Sequence, residues 1–135
     1  MQNRDLEPMF AAGQVREMLP HERIVYFALH AKAALAQGKA GAEAVFRHGL
    51  GAAYHAEQRH YEAIESWLDS LRLFESLDDT QGRARVLDDL GIISIDQADF
   101  ARAQNYFLQG LRLANDAGLA DVNDMITSHL LAMLD

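Results

Sequence analysis

The chain has no cysteine, so neither a disulfide nor a thiolate metal or redox site belongs to it. It has no apolar run long enough to span a bilayer, and "MQNRDLEPMF" lacks both the charged start and the apolar core of a secretion signal. Basic charge is scarce as well. Residues 1–40 carry five basic and four acidic side chains, whereas residues 41–135 carry seven and sixteen. Phosphate binding needs a basic footprint, which argues against nucleic acid as a partner. Phosphate loops, nucleophile motifs and dinucleotide fingerprints are also missing; "GLGAAY" contains glycine but falls in the middle of a helical pattern and not after a strand.

What remains is an ordinary soluble composition, 135 residues of which 50% are hydrophobic and 24% charged, enough for one domain with a core. The sequence predicts a cytoplasmic protein, or a soluble piece of a larger one. Ten of its twelve cationic residues are arginine, a bias that fits a GC-rich bacterial genome.

The informative feature is a repeat. Shifting the sequence by forty residues aligns Leu6, Phe46, Val86 and Ile126, and then Phe10, Leu50, Leu90 and Leu130. Beside the second set runs a column of small residues, Ala11, Gly51 and Gly91, which ends in Leu131. Further columns hold Ile24 and Ile64, then Ala63 and Ala103, then Phe27, Trp67 and Phe107, then Ala31, Leu71 and Leu111. Within each unit apolar residues recur every three or four positions, as in Phe46, Leu50, Ala53 and Tyr54, which is helical periodicity. Breaks fall at Pro20, Gln37-Gly38, Gln58-Arg59, Asp78-Asp79, Gln97 to Asp99 and Ala117-Gly118. The reading is all-α, with seven helices near 5–19, 21–37, 41–57, 60–77, 81–97, 100–117 and 121–134. Asp99 and Asp78 or Asp79 are expected as N-caps, and Pro20 suits a first helical turn. Gly51 and Gly91 are expected to face Ala63 and Ala103, small against small, with Trp67 and Phe107 filling the space between one helix pair and the next.

The strings "LGAAY…A-x-x-x-W" and "LGIIS…A-x-x-x-F" resemble the tetratricopeptide repeat, whose signature sets Leu-Gly-x-x-Tyr on a first helix and Ala-x-x-x-Phe on a second. Here they place Leu50, Gly51, Tyr54, Ala63 and Trp67 in one unit and Leu90, Gly91, Ala103 and Phe107 in the next, with Ser94 in place of the tyrosine. HEAT and armadillo units have a similar period but lack these glycine and alanine columns. The resemblance covers units at 41–80 and 81–120, a degenerate unit at 1–40 with Arg23 where the small alanine belongs, and a closing helix at 121–135. The forty-residue period looks like the long variety found in bacterial peptide-sensing regulators and in sensor segments of diguanylate cyclases and histidine kinases.

The resemblance implies a right-handed superhelical solenoid of antiparallel helix pairs whose first helices line a concave groove for a protein or peptide segment. The groove positions it assigns are Val45, His48, Ala52, His55 and Ala56; Arg85, Asp88, Ile92, Ile95 and Asp96; and Met125, Ser128, His129 and Ala132. Ala52 and Ile92 stand where a clamp for chaperone tails has Asn, and His48 and Asp88 where it has Lys, which argues against that clamp. The acidic balance favours a basic or apolar guest.

Six histidines prompt a metal check. No H-E-x-x-H or i, i+4 pair occurs, so they are read as polar groove residues, with His21 and His60 starting helices and carrying no special role. Asp78-Asp79 is read as a turn and Asp88-Asp89 as an exposed or groove-facing helix flank, not as an acid–base pair. No metal, cofactor or catalysis is expected. The last helix presents Met125, Ile126, Leu130, Leu131, Met133 and Leu134, more apolar surface than one packing face needs. Met125, Leu130, Leu131, Met133 and Leu134 are therefore expected to mediate self-association, giving a homodimer, or docking within a longer protein. The reading is a non-enzymatic scaffold or sensor module, with a regulatory domain of a larger bacterial signalling protein as the alternative and a helical metal-dependent enzyme as a remote one.

Overall fold

A computed structural model describes residues 12–135. Among these, seven helices and no strands occur: α1 (Ala12–Glu17), α2 (Pro20–Ala36), α3 (Ala40–Ala56), α4 (His60–Ser76), α5 (Thr80–Asp96), α6 (Phe100–Asp116) and α7 (Ala120–Leu134). The all-α helical repeat expected from the sequence is present. The first members of three columns, Leu6, Phe10 and Ala11, lie outside the described residues.

From α2 onward a new helix starts every twenty residues, because one turn is used five times. Gly38, Gln58, Asp78, Ala98 and Gly118 all take positive φ, between 54° and 69°. In the first turn the amide of Gly38 donates to Leu35 and that of Lys39 to Ala34, and the same pair of bonds recurs at each later turn. These bonds satisfy carbonyls that a helix end would leave unpaired. The left-handed residue is glycine only at the first and last turns; elsewhere L-residues accept about 1–2 kcal/mol of backbone strain, offset by the bonds it permits. Asp79 and Asp99 then cap the next helices, accepting from the amides of Gly82 and Arg102. Pro20 is the first residue of α2, as its missing N–H suggests.

α3 packs on α4 and α5 on α6 as the closest pairs, α2 lies almost as extensively on α3, and α5 also touches α7. The glycines that permit the close approach also seat aromatic rings. A Cβ at Gly51 would fall 2.3 Å from the Trp67 indole, and one at Gly91 would fall 2.5 Å from the Phe107 ring. Each glycine is the seat of the aromatic from its own pair's second helix. From that seat Trp67 reaches a core cluster with Ala44, Phe74, Val86, Leu90 and Ile93, and so binds one pair to the next as well. A second cluster joins Ala84, Ala103, Phe107 and Ala114 to Val122 and Ile126 of α7. Ser94 fits where tyrosine was expected because its buried hydroxyl donates to the Leu90 carbonyl at 2.7 Å.

The degenerate first unit is held differently. Phe27, the third member of the aromatic column, lies where a Cβ on Gly49 of the following helix would meet it at 2.5 Å. Arg23 replaces the small alanine and turns back instead. Its guanidinium donates to the carbonyls of Val15, at 3.0 Å, and Arg16, closing the end of α1.

Candidate functional site

The resemblance assigns the groove to α3, α5 and α7, and these helices share one face. Side chains forty-one residues apart meet across it. His48 Nε2 lies 2.5 Å from Asp89 Oδ2, His55 Nε2 lies 2.6 Å from Asp96 Oδ2, and His129 Nδ1 lies 2.8 Å from Asp88 Oδ1. The first two rungs tie α3 to α5, and the third ties α7 to α5. The interval is one repeat plus one residue, the offset at which successive first helices present neighbouring side chains.

The rungs differ in exposure. Asp96 is 43% exposed, whereas the Asp88 side chain is 3% exposed under His129. Burial raises the Asp88 carboxyl above the usual aspartate range, and the bond and charge of His129 oppose the shift. Asp89 beside it also raises Asp88, while Arg85 lowers it. Asp88 is thus not the exposed or groove-facing flank expected from the sequence: α7 covers it, and a helix-face count within α5 does not include the neighbour that does so.

The other expected groove residues divide similarly. Val45, Ala52, Ala56, Arg85, Ser128 and Ala132 are exposed. Ile92, Ile95 and Met125 pack against the second core cluster and show only part of their surface. The ladder therefore leaves a floor of small and apolar side chains edged by Arg85 and Asp96. Of the residues expected to mediate self-association, Met125, Leu130 and Met133 also lie against that cluster, while Leu131 and Leu134 are 57% and 65% exposed.

At one end of the face the structure brings together residues that the sequence reading kept apart. His60 comes back beside His55 through the turn at Glu57 to Arg59, with ring centroids 6.1 Å apart. Ligating atoms of His55, His60 and Asp96 all lie within 4.8 Å of one another. The spacing tests for histidine pairs apply within a helix and pass over two residues joined by a tight turn. Next to this group, Arg59 stacks on Tyr54 and donates to Glu62 at 2.7 Å; that bond holds the Glu62 carboxyl below the usual range. Trp67 completes the surroundings. Its indole Nε1–H donates to the His48 carbonyl at 3.0 Å, and its ring centroid lies 5.6 Å from that of His55.

Among the described residues, no helix is long and apolar enough to cross a membrane. Compared with known families, residues 42–116 match the model described as Tetratricopeptide repeat. The comparisons with curated proteins and with solved structures return no match.

Proposed function

As the chain belongs to the tetratricopeptide-repeat family, whose members mediate protein–protein interaction, we propose that it binds a segment of another protein along the shared face of α3, α5 and α7, without catalysis of its own. The observation that carries this reading is the ladder. Three rungs fix three helices from successive units into one continuous surface, and between them Val45, Ala52 and Ala56 stay exposed with short side chains. A face held in advance loses little conformational entropy when a guest arrives. The net charge of −8 and the carboxylates on the ladder favour a basic or apolar segment over an acidic one.

The test is selection of a random peptide library on the pure chain, followed by fluorescence anisotropy with the enriched peptides. Enriched peptides of basic or apolar character that lose at least about tenfold in affinity, roughly 1.4 kcal/mol, on Val45→Glu or Ala52→Glu support the groove. Peptides insensitive to both substitutions, or no enrichment at all, would overturn it.

Leu131 and Leu134 support a second contact. Both project from the last helix, Leu131 at the position where a column glycine gives way to leucine. The proposed occupant is a second copy of the chain, and light scattering of wild type beside Leu131→Glu, Leu134→Glu checks it. A dimer that becomes a monomer agrees, and a monomeric wild type ends the idea. The even twenty-residue rhythm of the helices favours the long-repeat variety, and with it a cytoplasmic sensor role in a larger bacterial signalling protein.

A further inference from the structure

The ladder accounts for His55 facing Asp96, since two other rungs have the same spacing. It does not account for His60. The corresponding first residues of the other helices are Pro20, Ala40, Thr80, Phe100 and Ala120, none of which has an imidazole, a carboxylate or any charge. Among the described residues, only this rung is met by a second imidazole.

We propose that His55, His60 and Asp96 form a binding site for a first-row divalent cation, with Zn²⁺ as the natural occupant. Two imidazoles and one carboxylate suit the borderline ions of this row and are poor ligands for Ca²⁺ or Mg²⁺, which prefer oxygen. Protein donors hold Zn²⁺ at about 2.0–2.2 Å, which puts donors on one ion about 3–3.5 Å from each other. The His55–Asp96 contact of 2.6 Å opens slightly to admit the ion, and the wider separations, at most 4.8 Å, close by about 1 Å or more. Rotation of partly exposed side chains supplies such movements without shifting a helix.

The three donors come from the end of α3, the start of α4 and the end of α5. A bound ion would therefore link one repeat unit to the next at the edge of the groove. The guanidinium next to His60 in the chain does not oppose it, because Arg59 is turned onto Tyr54 and neutralised by Glu62. Three protein ligands leave a coordination position open, and the partial exposure of His55 and Asp96 directs it toward solvent.

Trp67, the chain's sole tryptophan, reports on this site. Its ring lies 5.6 Å from His55, within reach of contact quenching by a paramagnetic ion. The experiment is a Ni²⁺ titration of the tag-free chain followed by Trp67 fluorescence, then displacement with Zn²⁺. The expected result is saturable one-to-one quenching that Zn²⁺ reverses. The affinity should drop at least about tenfold in His60→Asn and in Asp96→Asn, as losing even an outer partner of a metal ligand costs that much, and His21→Asn, exposed at the start of α2, should leave it unchanged. Far-UV circular dichroism of each variant confirms that the helices persist, and Zn²⁺ should raise the Tm of wild type but not of His60→Asn. Quenching that does not saturate, or that is equal in wild type and His60→Asn, would overturn the site. None of these readouts involves a peptide guest, so failure here is distinguishable from failure of the groove.

Discussion

The seam inside each helix pair and the ladder across the first helices use the same repeat with opposite chemistry. In the seam an aromatic ring rests on a glycine, and Trp67 and Phe107 are both within 1% of complete burial. In the ladder an imidazole meets a carboxylate, and exposure of the side chains ranges from 3% at Asp88 to 43% at Asp96. Apolar burial is large and insensitive to pH. A part-exposed ion pair contributes about 0–1 kcal/mol and depends on the protonation of its histidine. The seam therefore supplies the stability of the array, and the ladder sets the geometry of the face it presents. The Trp67 bond to the His48 carbonyl joins the two.

The strongest way to break the comparison is to empty the seam. Trp67→Ala should lower unfolding stability by about 3–5 kcal/mol in a urea titration; a loss below about 1 kcal/mol would mean that the ring is not a principal support. Filling the glycine seat is the next test. Gly91→Ala places a methyl group 2.5 Å from Phe107, and in a well-packed core such a clash should cost about 1–3 kcal/mol. The same substitution at Gly41, where nothing lies within 4 Å, should not destabilise, since alanine is the better helix former.

The smallest effect sharpens the ladder. The native state holds the Asp88 proton more tightly than the unfolded chain does, because burial raises its pKa. Its contribution is fully present below the ordinary aspartate range and is lost as pH rises through the raised native value. Asp88→Asn removes that loss along with the ion pair to His129. Because the asparagine carbonyl can still accept from His129 and leaves no buried charge, stability at neutral pH should change by only about 1 kcal/mol, the net worth of a neutral hydrogen bond. Wild type should fall relative to the variant as pH rises from 3 toward neutrality, as measured by denaturant midpoints; parallel profiles would show that the burial has no consequence.

Much of the fold was legible because the repeat writes it twice. The helix ends from α2 onward were placed within one or two residues, since Pro20, Gly38, Asp79, Asp99 and Gly118 act locally through φ and capping. The expectation that small residues would face each other left out the aromatic rings seated on Gly51 and Gly91, because the columns identify shared size along the chain and not which side chain meets which. The face proposed as the groove was legible as a set of helices and much less so as a set of side chains. Ile92 and Met125 turn partly inward, and Asp88 disappears beneath a helix that starts thirty-two residues further on.

The sequence by itself determined the helices, their period and the residues that form the core, because hydrophobic periodicity and turn chemistry act over a few neighbouring positions. Tertiary structure alone decided that a histidine meets an aspartate one repeat and one residue away, and that His60 joins His55 and Asp96. Those meetings depend on how successive helix pairs are offset as they stack, a rigid-body relation that no single segment of the chain encodes.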